Sequence, residues 1–247
     1  MKTSNILFAL LILTFLSCGD NEIEEPYENI FGYEYFPLAI GNTWEYQVDS
    51  VLIVQGGIAN IVSTSFIQEK VTDLLSDENG EKLYRLERSY RPDQNSSWSL
   101  RDVWQVGMTD RRATRTEENL RFIKLVFPAV KDERWDGNVF FDANKEFTVA
   151  ANGVTIYQDW SYKIEEVNLS RAYNGTMYDD VMHVSHIDEE SLISRRFSEE
   201  YYVKGIGLVE RNMDIFDSQN GNTMLTWLER AEKGFQLKQT LLSFTEN

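Results

Sequence analysis

His183 and His186 are the only histidines in the chain, and Asp188 follows two positions later. Imidazole and carboxylate at short spacing are the raw material of metal ligation and of general acid–base work. On a strand, residues three apart project to opposite faces, so the two rings do not readily share one ion. His186 and Asp188 would share a face, as would Asp180 and Glu190 in a regular strand. One histidine with carboxylates is too generic a donor set for zinc, and neither a metal nor a cofactor is expected. Forty acids guarantee carboxylate pairs, and glycoside hydrolysis asks only for two at about 5 Å or about 6.5–9.5 Å. Asp132-Glu133 ahead of Trp135, and Asp179-Asp180 behind Tyr178, set acids beside aromatics suited to stacking on a sugar. No Gly-x-Ser-x-Gly elbow and no His-Glu-x-x-His helix occurs. Gly205-Ile206-Gly207 lacks the third glycine and the following helix of a phosphate cradle. Leu208-Val209-Glu210-Arg211 continues as strand, so the glycines read as a bend that lets backbone approach closely. Catalytic and ligand-binding residues are not assigned by these patterns.

Cys18 is the one thiol. Lys2 precedes an apolar run, Ile6 to Leu16, that is broken only by Thr14 and followed by small Ser17. The run is shorter than the roughly 20 residues that span a bilayer and suits the core of a secretory signal. Phe15-Leu16-Ser17-Cys18 resembles the lipobox of bacterial lipoproteins, with Phe15 where that family has a leucine-like aliphatic. The resemblance implies a signal peptide over residues 1–17 and lipidation of Cys18, which becomes the new N-terminus. Six acids and no base lie between Cys18 and Tyr35, a composition that cannot pack and reads as a flexible acidic tether over residues 18–35. An acidic run behind the acylated cysteine also resembles the signal that sends lipoproteins of Bacteroidota to the cell surface. The expected location is the outer membrane, lipid-anchored, facing the periplasm or the exterior.

The formal net charge is −16, and loss of Lys2 with the leader takes it to −17. A chain this acidic repels phosphate backbones, whose binding relies on Lys and Arg, so nucleic acid is excluded as a partner. The membrane is reached through acyl chains on Cys18, and the remaining partners to consider are an envelope protein or a glycan. Acylation consumes the sole thiol, so no disulfide or cysteine cluster is available.

From Trp44 onward the pattern has period two. Trp44, Tyr46 and Val48 alternate with Glu45, Gln47 and Asp49; Tyr84, Leu86 and Tyr90 with Arg85, Glu87 and Ser89. Trp98, Leu100, Trp104, Val106 and Met108 fall on one face, and Val154, Ile156, Trp160, Tyr162 and Ile164 suggest a longer strand. Asn79-Gly80, Asn152-Gly153, Asn174-Gly175, Asn220-Gly221 and Gly56-Gly57 punctuate these segments as candidate hairpin turns. Short helices are expected only at Glu117 to Leu125 and Thr226 to Lys233. The fold class is therefore all-β: an antiparallel meander of about ten or more strands that closes into a strongly curved sheet, half-barrel or barrel-like domain, with a β-sandwich as the alternative. Phe-Pro-x₆-Trp occurs at Phe36 and again at Phe127. The echo is either chance or the trace of two similar halves meeting near residue 126 within a domain spanning 36–247.

Phe36-Pro37-Leu38 with Gly41-Asn42-Thr43-Trp44-Glu45-Tyr46, then Tyr201-Tyr202-Val203-Lys204-Gly205-Ile206-Gly207-Leu208-Val209, then Gly234-Phe235 leading to Gln239-Thr240-Leu241-Leu242-Ser243-Phe244, together resemble uncharacterised β-rich lipoproteins of Bacteroidota. That resemblance implies fold and place and carries no catalytic residues. A non-catalytic ligand- or partner-binding domain is the leading expectation. A carrier holding a lipophilic molecule in a half-barrel cavity is the second, and a glycan-active hydrolase the third.

Overall fold

Alternate side chains from Trp44 onward do sort into dry and wet sides, because the chain is built almost entirely of hairpins. The computed structural model describes residues 31–78 and 80–247; the expected signal peptide, Cys18, the tether up to residue 30 and Asn79 lie outside the described residues. The strands are β1 (Thr43–Val54), β2 (Ala59–Glu78), β3 (Glu81–Arg91), β4 (Ser99–Met108), β5 (Arg112–Glu117), β6 (Leu120–Val126), β7 (Arg134–Trp135), β8 (Glu146–Val149), β9 (Asn152–Thr155), β10 (Tyr162–Tyr173), β11 (Thr176–Glu190), β12 (Ser194–Val203), β13 (Gly207–Asp217) and β14 (Lys233–Thr245). Among the described residues α1 (Trp227–Arg230) is the one α-helix. Twelve strands form one antiparallel sheet in the order β6-β5-β4-β3-β2-β1-β14-β13-β12-β11-β10-β7, nearly closed into a barrel with one unsealed seam. The all-β, barrel-like expectation holds, and the sandwich alternative does not.

Trp44, Tyr46 and Val48 are buried while Glu45, Gln47 and Asp49 are only half so, as a strand with one face on a core requires. Asn174-Gly175 forms the β10–β11 turn with positive φ at both positions (48° and 79°), the geometry of a two-residue hairpin. Gly56-Gly57 lies in the β1–β2 connection.

Other expectations change. Asn152-Gly153 opens β9, and the turn before it is made by Ala150 and Ala151 at φ 48° and 67°. Asn220-Gly221 lies in the longer β13–α1 connection. Glu117 to Leu125 is not helical: Glu118 and Asn119 take positive φ and turn β5 into β6. Phe122 to Leu125 is buried on both faces, which erases the alternation that marks a half-exposed strand. The run from Val154 to Ile164 is two strands, broken where Asp159 adopts φ 61°. Leu100 is 57% exposed because the β3–β4 register slips between Arg88 and Ser89, throwing it off the face held by Trp104 and Val106. The expected short helix at Thr226 to Lys233 forms as α1, with Thr226 and Glu229 closing a capping box.

Residues 31–42 run across one end of the barrel. Ala129 N–H donates to Phe31 O and Gly205 N–H to Glu34 O, and Tyr35 is 2% exposed, so packing begins no later than Phe31. The β8–β9 hairpin occupies the other end, where Lys233 Nζ donates to Gly153 O and Val154 joins the core. β1–β6 lie side by side and end at Val126, after which the chain returns along the seam. There the closure is slight: Ile123 N–H to Gly137 O at 2.9 Å and Trp135 Nε1 to Ile123 O at 2.8 Å.

Candidate functional site

The lumen is crossed by ion pairs. Lys124 on β6 bonds Glu200 on β12 at 2.7 Å, and Arg211 on β13 meets Glu117 on β5 at 3.1 Å. These strands are not neighbours in the sheet, so each pair spans the interior. Arg211 Nε also reaches Glu200 at 2.6 Å. Arg115 bridges Glu117 (3.2 Å) and Glu69 (2.5 Å), while Arg88 bridges Glu69 (3.2 Å) and Asp102 (3.5 Å). The result is one chain of alternating sign: Asp102, Arg88, Glu69, Arg115, Glu117, Arg211, Glu200, Lys124. Four acids meet four bases, and the set is neutral. The Arg88 and Arg115 guanidiniums both lie over the Trp104 ring, at 4.3 and 4.6 Å, a cation–π contact that strengthens with desolvation.

Burial sets the protonation. It pushes the Glu117 carboxyl up, but Arg211, Arg115 and Lys124 outweigh it and hold that group at about 2. Burial also opposes the Glu200 charge, and Lys124 and Arg211 overcome it, holding Glu200 well below the usual carboxylate range. Tyr202 Oη donates to Glu200 at 2.6 Å. His186, 1% exposed, is depressed to about 4 by burial, against the pull of Glu200. Its Nδ1 pairs with Ser198 Oγ at 2.9 Å. Its Nε2 is 3.4 Å from Glu200 but not aligned as a hydrogen bond, so the contact is proximity rather than a shared proton. The ring stacks on Trp160 at 5.2 Å.

His183 faces the other way, as spacing on a strand requires. It bonds Glu199 at 2.9 Å on the outside and stacks on Tyr201, whose ring also carries Arg171 at 3.8 Å. His186 and Asp188 do not share a face. A bulge between Ser185 and Ile187 adds a residue to β11, which sends Asp188 outward to Arg195. Asp180 also departs from regular strand geometry, with φ 57°. Asp132 pairs with Lys163 at 2.9 Å and is largely exposed, and Asp179 accepts a hydrogen bond from Ser170. Gly205 and Gly207 form the β12–β13 turn, where a Cβ on Gly207 would lie 3.2 Å from Pro37, the close approach expected of that bend. Trp44, Trp104 and Trp160 are buried. Among the described residues no cluster of His, Cys, Asp and Glu is able to hold a metal ion.

Sequence reasoning missed the ion chain. Its trace is charged residues at strand positions whose two-apart neighbours are apolar: Glu69 before Val71, Arg88 after Leu86, Lys124 inside Phe-Ile-Lys-Leu-Val. Two crevices flank it. One is lined by Trp44, Leu86, Arg115, Lys124 and Arg211, the other by Tyr157, Trp160, His186 and Glu200. Their room for water centres is about 40 and 30 Å³. One water needs about 10–15 Å³ by that measure, so each crevice admits a few waters.

No protein-family model matches the chain, and no curated protein matches it. Two solved structures are similar to it. One is a "putative lipoprotein" from Parabacteroides distasonis, 12% identical over 85% of this chain and 98% of that one, with a TM-score of 0.42. The other is a "putative exported protein with YmcC-like fold" from Bacteroides fragilis, 7% identical over 85% and 98%, with a TM-score of 0.41. At these values neither likeness bears on function.

Proposed function

We propose that this chain is a lipid-anchored domain of the outer membrane, facing the periplasm or the cell surface, that binds an envelope protein or glycan and performs no chemistry of its own. In this reading residues 1–17 are removed and Cys18 carries the acyl chains. The observation that carries the non-catalytic half is the neutral ion chain. Every buried acid in it is held by a base, which leaves no carboxyl in the ion chain set up as an acid. A glycosidase acid needs a raised pKa, whereas each described carboxylate with a displaced pKa is displaced downward, Glu165 and Glu199 as well as those inside. Crevices that admit a few waters also count against a lipophilic cargo, which needs several hundred Å³. Recognition is then left to the outside of the barrel.

Two measurements test this. Cells grown with an alkyne fatty acid should label the wild-type protein and not the Cys18→Ser variant, and only the former should sediment with outer membranes; an unlabelled wild type would remove the anchor. Purified mature protein incubated with a glycan panel should release no product, and turnover of any member would overturn the non-catalytic reading.

A further inference from the structure

Sheet edges invite pairing with other chains, and proteins blunt them with charge, proline or bulges. Besides β6 at the seam and the ends of β11, β13 and β14, three stretches of the large sheet lack a strand neighbour on one side. Ser99–Trp104 of β4 lies beyond its pairing with β5, carries Arg101 and Asp102, and contains a register slip. Glu165–Tyr173 of β10 lies beyond its pairing with β7, carries Glu165, Glu166 and Arg171, and has repeated slips. Both are blunted. The third is Ala59–Ser65 of β2. It pairs with β1 in unbroken register, while β3 joins β2 only from Phe66 onward and ends at Arg91, before Pro92.

That third stretch has no protection. Ala59-Asn60-Ile61-Val62-Ser63-Thr64-Ser65 contains no charge, no proline and no bulge, and it sits in the uncharged run Ser50–Gln68 of a chain with net charge −16. Val62 is 76% exposed, Ile61 54% and neighbouring Ile58 84%. β-Branched residues on a flat open edge form the template on which a further strand adds.

We propose that this edge is a homodimer interface, in which Ala59–Ser65 of two copies pair antiparallel about a two-fold axis through Val62, continuing the sheet from one barrel into the next. Self-complementarity selects the occupant, and the absence of charge permits it. Two chains this acidic repel over most of their surfaces, and this edge lets them meet with no carboxylate opposite another. Antiparallel self-pairing sets Val62 against its own symmetry mate, Ile61 against Ser63 and Asn60 against Thr64, so that two β-branched valines face each other at the axis, while Asn60 and Thr64 keep their bonds to Leu228 O and Asp49. A two-fold interface needs this self-complementarity. The notch where β3 stops is filled by the same seven residues that create it. The inference does not depend on the anchor or on the choice of partner above.

Sedimentation equilibrium of the mature protein over a concentration series should give a monomer–dimer equilibrium, and Val62→Lys should weaken it by at least about tenfold by opposing like charges at the axis. Since Val62 is exposed, that variant is expected to fold, which its far-ultraviolet circular dichroism checks. With Cys18 replaced by serine, Val62→Cys should form a disulfide-linked dimer under mild oxidation much faster than Leu100→Cys, an exposed site on the blunted β4 edge. A protein that stays monomeric at about 100 μM, or Val62→Cys that crosslinks no faster than Leu100→Cys, would overturn the proposal.

Discussion

Lowering the pH from about 7 to about 5 should remove about 2 kcal/mol of stability through one side chain, His186. In the folded protein burial among Trp160, Tyr162 and Ser198 holds its pKa at about 4, against 6.5 when exposed. The unfolded chain therefore binds the proton first. Stability is complete above the unfolded value, falls as the pH drops through it, and stops falling near the folded one. The whole displacement amounts to about 3 kcal/mol at about 1.4 kcal/mol per unit, of which about 2 is lost by pH 5. Glu117 and Glu200, both depressed, contribute chiefly at lower pH, as the medium passes below the unfolded carboxylate value towards their folded ones. The window above pH 5 thus belongs mainly to the imidazole. Urea unfolding followed by tryptophan fluorescence at about pH 7, 6 and 5 measures it, in a His183→Gln background so that His186 is the only imidazole. Adding His186→Gln should flatten the dependence whatever it does to stability at pH 7. A background protein equally stable at pH 7 and 5, or a slope that survives His186→Gln, would refute the account of a buried neutral ring.

Three further outcomes follow from the packing. Lys124→Met leaves Glu200 buried with Arg211 as its only remaining close cation and should cost about 3 kcal/mol in chemical denaturation; adding Glu200→Leu should recover part of that loss. Trp135→Phe replaces the indole with a smaller phenyl ring and removes the donor to Ile123 O at the seam, so stability should fall by about 1 kcal/mol or more and the Ile123 amide, bonded to Gly137 O, should exchange faster. Gly234→Ala places a Cβ against the Ile215 carbonyl at φ +117° and should cost about 3 kcal/mol or more, read as loss of soluble, cooperatively unfolding protein.

The legible parts of the sequence were those where one strand face is wet. Trp44, Tyr46 and Val48 announced β1 because Glu45, Gln47 and Asp49 stand between them. The reading failed at Glu117 to Leu125, where β6 is dry on both sides: Phe122 packs against Phe141 and Tyr157, while Lys124 spans the lumen. It failed again at Asp188, since a single inserted residue in β11 reverses every side chain beyond it and leaves no compositional mark. The ion chain was hidden for a related reason. A charged residue on a strand is ordinarily solvated, and only its partner across the barrel, tens of positions away in sequence, makes its burial affordable.

Barrel width ties these observations together. A barrel of about eight strands is just filled by ordinary side chains, and this sheet has twelve. Long charged side chains from facing walls reach across the lumen: Lys124 meets Glu200 and Arg211 meets Glu117. The β8–β9 hairpin and residues 31–42 close the ends. The abundance of tyrosine and tryptophan, and the buried charges, are thus one response to one geometric demand. The interior of the described residues is packed by these side chains together with the hydrophobic clusters around them.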